Sequence, residues 1–114
     1  NKETLNTMRD EFLFVMEIVD EIYGDIAFHP FVVAKQDWAD RPQKAFFDAV
    51  TVGVSENIAY GDILIERRQK ILEETAVLFL DYEDGTFTGR GNTKADIVNR
   101  IHLFSSMLKK VATQ

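Results

Sequence analysis

Leu5, Met8, Phe12, Val15, Met16, Val19, Ile22 and Tyr23 recur at alternating steps of three and four residues. That spacing places them on one face of a helix and predicts a helix over residues 3–23. Gly24 stands where a left-handed residue would end it. Asp10, Glu11, Glu17, Asp20 and Glu21 fill the other positions and read first as a solvated face. Phe46, Phe47, Val50, Val54 and Ile58 repeat the pattern over residues 44–59, where Pro42 suits a first helical turn. Val52 and Gly53 add apolar or small positions on other faces, which predicts a central helix with a close neighbour at Gly53.

Residues 62–81 predict a third helix, with Ile63, Ile71, Leu72, Leu78 and Phe79 inward and a charged middle at residues 66–70. Thr75 to Leu80 has some strand character, a minor alternative. Ile97, Ile101, Phe104, Leu108 and Val111, widened by Val98 and Met107, predict the last helix over residues 94–111. Thr93 and Asp96 have capping-box spacing at its start, and Lys109 and Lys110 complement the dipole at its end. Between helices, residues 82–92 are rich in turn formers. Residues 25–40 are apolar but interrupted by Pro30, and with no second strand evident they read as an ordered, partly buried connector anchored by Trp38. The expected fold is all-α: a compact bundle of four main helices, with room for a short fifth, in a single domain over residues 1–114.

Composition sharpens this picture. Apolar residues make up 46% of the chain, including nine phenylalanines, enough to bury a core and exclude disorder. The absence of cysteine removes disulfides, thiolate metal sites and cysteine nucleophiles, and fits a reducing cytoplasm. No apolar run reaches bilayer length, so no membrane partner is expected. The net charge of −6 opposes generic nucleic-acid binding. It is uneven: residues 1–60 hold five Lys/Arg against eleven Asp/Glu, whereas residues 61–114 hold eight of each.

Any phosphate contact is therefore expected in the second half. Arg90, set between Gly89 and Gly91 ahead of a helix start, could hold an anion with Lys94 and Arg100, because free amides and the dipole favour negative charge there. The stretch lacks the Walker order, and a structural cap is the stronger reading. Arg67 and Arg68 form a second basic cluster with Lys70, interleaved with Glu66, Glu73 and Glu74 at helical pair spacing, which reads first as a solvated face and second as a DNA-backbone contact. His29 and His102 lack metal-ligand spacing, Ser55, Ser105 and Ser106 lack a nucleophile elbow, and no carboxylate pair stands out. No catalytic residue, metal site or cofactor is expected of this chain.

Across residues 41–110 the order of features resembles the C-terminal helical part of the GmrSD-type restriction proteins that carry a ParB-like nuclease domain. The resemblance rests on Lys44-Ala45-Phe46-Phe47-Asp48-Ala49-Val50, on the loop ending Gly91-Asn92-Thr93-Lys94, and on Val98-Asn99-Arg100-Ile101; Tyr23 to Phe28 adds a weaker match. It implies prokaryotic defence against foreign or modified DNA, with nucleotide hydrolysis, a divalent metal and DNA cleavage in larger relatives. The family's Asp-Gly-Gln-Gln-Arg signature belongs to the N-terminal domain and is missing here, where Asp84-Gly85 runs into Thr86-Phe87-Thr88. The expectation is a helical piece of a longer protein, inert alone, partnered by a ParB-like domain and through it by DNA. A homo-oligomer is also compatible with the pattern. Two rivals stand beside it: a freestanding acidic interaction module or DNA mimic using Asp10, Glu17 and Glu21, and a nucleic-acid contact module using the basic second half.

Overall fold

The computed structural model describes residues 1–114. Five α-helices carry the fold: α1 (Lys2–Tyr23), α2 (Lys44–Glu56), α3 (Gly61–Glu66), α4 (Arg68–Asp81) and α5 (Lys94–Ala112). They pack as an all-α bundle around one apolar core. The most extensive helix pair is α2 with α5, and α1 lies across α2, α3 and α4. No helix is long and apolar enough to cross a membrane.

The core has an aromatic centre. Phe46 on α2 meets Phe79 on α4 at 5.0 Å between ring centroids, Phe104 on α5 at 5.8 Å and Phe87 of the 82–92 loop at 6.4 Å, all near edge-to-face. Edge-to-face packing sets the positive ring edge against a neighbouring negative face. Gly53 supplies the close approach expected of it: a Cβ there would lie 2.8 Å from Phe104 Cδ1 and 3.4 Å from the Ser105 amide nitrogen. One turn on, buried Asn57 stitches the same two helices, its Nδ2 donating to Gly53 O (2.9 Å), Ser105 O (3.1 Å) and Ser105 Oγ (3.0 Å).

Four expectations need correction. The connector contains a two-residue antiparallel pair, β1 (Phe31–Val32) with β2 (Asp37–Trp38), in which Phe31 faces Trp38. The second strand is too short for any sequence periodicity to register. His29 ties the segment down by donating from Nδ1 to Ala39 O at 2.6 Å. The third helix is broken at Arg67, whose φ of −98° and ψ of 26° leave α-helical space, so the fifth helix is the short α3. Pro42 precedes the N-cap Gln43 rather than opening α2, and α2 stops at Glu56 ahead of a 3₁₀ turn over Ile58–Tyr60. Lastly, α1 buries its apolar face only from Val15 onward; Leu5, Met8 and Phe12 are 66%, 61% and 53% exposed.

Tyr23 ends the buried part of α1, with its hydroxyl 2.8 Å from Thr75 Oγ1, which itself donates to Ile71 O. Burial pushes the Tyr23 hydroxyl well above its ordinary value, and the Thr75 hydrogen bond offsets this only in part. A raised folded pKa means that the folded state holds the proton after the unfolded chain has released it. Stability is unaffected below the unfolded value near 10 and falls as pH rises above it. Thermal melts between pH 8 and 11.5 check this: the fall above pH ~10 should shrink in Tyr23→Phe.

Candidate functional site

The residues of interest converge where the 82–92 loop crosses the start of α5 and the start of α2. At α5 the capping box forms as expected: Asp96 N donates to Thr93 Oγ1 (3.1 Å), and Thr93 N donates to Asp96 Oδ2 (3.1 Å). The Thr93 hydroxyl, donating to Asp96 Oδ2 at 2.8 Å, and then the Thr93 amide hold the Asp96 carboxyl below the usual carboxylate range, with the Arg100 charge a smaller contributor. Gly91 is required beside them. Its φ is 103°, and a Cβ would lie 2.7 Å from Asp96 Oδ2.

Arg90 is held within its own loop. Its amide donates to Gly85 O (3.2 Å), and its Nη1 reaches Asp84 O at 3.5 Å, the outer limit of a hydrogen bond. Asp84 accepts from Thr86 Oγ1 (2.6 Å) and Thr86 N (3.1 Å), which hold its carboxyl below the ordinary range. Phe87 roots the loop by burying its ring against Phe46, Phe79 and Tyr82. The glycine-bracketed arginine is therefore part of a built turn that leads into a capped helix.

Arg100 is 1% exposed, on the core side of α5. Its Nη2 donates to Gly91 O (2.9 Å) and Asn92 Oδ1 (3.3 Å), pinning the loop to the helix, while its buried Nε has no acceptor in the chain. The same side chain lines a cleft of about 570 Å³ with Gln43, Lys44, Asp48, Gly89 and Asn92. The cleft opens on the first turn of α2, where Gln43 provides no side-chain cap and the amides of Lys44, Ala45 and Phe46 have no acceptor. The cleft sets the orphan amides of a helix start and the Lys44 side chain beside the Asp48 carboxylate.

The other basic cluster is divided. Arg67 crosses to the far end of α5, where Nη1 donates to Val111 O (2.7 Å), Gln114 O (3.1 Å) and Ala112 O (3.3 Å), satisfying carbonyls that the helix end leaves free. Arg68 is exposed and reaches only Ile65 O at 3.4 Å. The Lys70–Glu74 ion pair at 3.1 Å belongs to a solvated face. From Arg100 to Val111 along α5 is about 16 Å, so Arg67 and Arg100 serve opposite ends of one helix. The structure thus does not assemble Arg90, Lys94, Arg100, Arg67 and Arg68 into one surface. Lys94 is exposed beside the α5 cap. Sequence reasoning missed Lys44, Asp48 and the open first turn of α2; the proline-led helix start was the available signal.

No protein-family model, curated protein or solved structure matches this chain.

Proposed function

We propose that this chain is a non-catalytic helical module that packs against a ParB-like domain of a GmrSD-like DNA-restriction protein. The observation that carries the docking part of this reading is the unpartnered half of α1. Leu5, Met8 and Phe12 continue the stripe that Val15, Val19 and Ile22 bury, and they leave it open. Leu13 and Phe14, 54% and 40% exposed, lie on other faces of α1, and Val52 on α2 adds 40% beside the stripe. A groove of about 270 Å³ runs between the two helices, lined by Met8, Phe12, Val15, Thr51 and Val52. Contiguous apolar surface of this kind marks an interaction site in a folded protein.

Glu11 and Arg9 border the stripe on its two sides, and Glu3, Asp10 and Glu17 lie on the opposite, solvated face of the helix. The complementary partner is therefore an apolar face. That the partner is ParB-like rests on the sequence resemblance. The interior engagement of Arg67 and Arg100 weighs against this chain's meeting DNA directly.

The test begins with the native polypeptide. An upstream domain carrying Asp-Gly-Gln-Gln-Arg is expected, and it should co-purify with the helical chain when the two are expressed as separate pieces. Phe12→Asp should weaken that association at least about tenfold, since a buried aromatic anchor carries a large share of interface energy. A native polypeptide without such a domain overturns the reading. So does an association indifferent to Phe12→Asp, or a homodimer that Phe12→Asp dissolves.

A further inference from the structure

A pocket of about 310 Å³ lies between the β1–β2 hairpin, the end of α4 and the 82–92 loop. Phe79 and Phe87, 5% and 1% exposed, close its floor. The apolar walls left open to a ligand are those of half-buried Phe31, Val33 and Tyr82. Glu83 is the one charged side chain in the lining, exposed and in no ion pair. The hairpin wall is held in place at a cost. Phe28 turns the chain into it with a φ of 68°, a left-handed conformation that a bulky residue rarely adopts. Its carbonyl accepts from Gln43 N (3.1 Å) and its ring centroid lies 4.6 Å from that of Phe47, which fixes the turn.

We propose that this pocket binds the quaternary ammonium group of a small organic cation. Aromatic rings attract a cation through their quadrupole, and the Glu83 carboxylate at the rim adds an independent attraction of the same sign. No lysine, arginine or histidine lines the pocket to oppose them. The apolar character of Phe31, Val33, Phe79 and Phe87 then selects among cations. A primary ammonium or a guanidinium entering here would leave N–H groups unpaired. A quaternary ammonium has none, and its methyl groups meet the apolar walls. Gln43 and Thr88, both exposed at the edge, can hydrogen-bond a hydroxyl carried on a short chain. The volume stands at the small end for ligand pockets, which suits a choline-sized molecule.

The probe is choline, titrated into the full chain at low salt while backbone amides are followed by NMR. Saturable shifts at Val32, Val33, Tyr82 and Glu83 are expected, with a Kd of about 1 mM or tighter. The neutral alcohol with carbon in place of the choline nitrogen keeps the shape and loses the charge, so it should bind about fivefold more weakly or worse. Phe31→Leu should weaken choline about fivefold and leave the neutral alcohol nearly unchanged, a split that a damaged pocket would not produce. Glu83→Gln, at an exposed position where the fold is indifferent, should weaken choline about threefold. The proposal fails if choline does not saturate by roughly 20 mM, if the neutral alcohol binds as tightly, or if either variant binds choline like the parent. It fails too if a trimethyllysine peptide binds more than about tenfold tighter than choline, since the pocket would then serve a protein partner. The pocket shares no residue with the groove at α1, so its occupancy and the packing role are tested apart.

Discussion

Phe46→Ala is expected to destabilise the protein by about 3–5 kcal/mol, the cost of truncating a fully buried aromatic in a core that cannot collapse around the loss. Domain stabilities of this size are about 5–15 kcal/mol, so the variant should sit at or near the edge of folding. The reason is the position of the ring. Phe46 is 1% exposed and touches the rings of Phe79, Phe87 and Phe104, which come from α4, the 82–92 loop and α5. Deleting it removes contacts from three elements at once. Urea denaturation followed by circular dichroism measures the loss, and Phe46→Leu provides the scale, since it keeps most of the volume. The loop should respond first. Its anchor Phe87 keeps Phe79 and Tyr82 but loses Phe46, so proteolytic cleavage within residues 82–92 should speed up in the variant before global unfolding does. A Phe46→Ala protein as stable as its parent would mean that the aromatic centre does not organise the core.

The helices were legible because their apolar periods are long and regular, and the capping box of α5 because its hydroxyl and acid stand at fixed spacing. What periodicity could not say is how much of a stripe is covered. Leu5, Met8 and Phe12 obey the same spacing as Val15 and Val19, yet no element of the chain covers them, and α2 only borders Met8 and Phe12 across a groove. Spacing reports the face of a helix, and burial depends on what lies opposite. The hairpin was illegible for another reason: two residues per strand contain no period, and Phe31 opposite Trp38 becomes a pair only once the turn at residues 33–36 has folded.

The two interior arginines carry the same lesson for the candidate site. Arg100 stands four residues before Phe104 and seven before Met107, and Arg67 stands three after Leu64 and four before Ile71. Both lie in step with apolar stripes, which is the signal that they turn inward and use their forks on backbone carbonyls. A count of basic residues treats all five candidates alike. Placing them on the stripes separates Arg67 and Arg100 from the exposed Arg68, Arg90 and Lys94. The same placement converts Arg100 from a surface contact into the buried wall of a cleft whose other half, at Lys44, lies 56 residues away in sequence.

Gly53→Val is the second substitution with a large expected effect, a loss of about 3 kcal/mol or more through overpacking and lost hydrogen bonds. The added Cβ would start 2.8 Å from Phe104 Cδ1 and 3.5 Å from Ser105 Cα. The ring can rotate a little. The backbone of α5 cannot move without lifting the helix, and two branched methyls demand that it does. Separating α2 from α5 then strains the Asn57 stitch, because its bonds to Ser105 cross the gap while its bond to Gly53 O stays within α2. Gly53→Ala should fall between parent and valine, since the overpacking of one methyl is offset by about 1 kcal/mol of improved helix propensity. A double-mutant cycle separates the two contributions. Asn57→Ala should cost less in the Gly53→Val background than in the parent, because part of what it removes is already broken. Equal costs in both backgrounds, or a valine variant as stable as glycine, would mean that α2 and α5 have room to spare at this crossing.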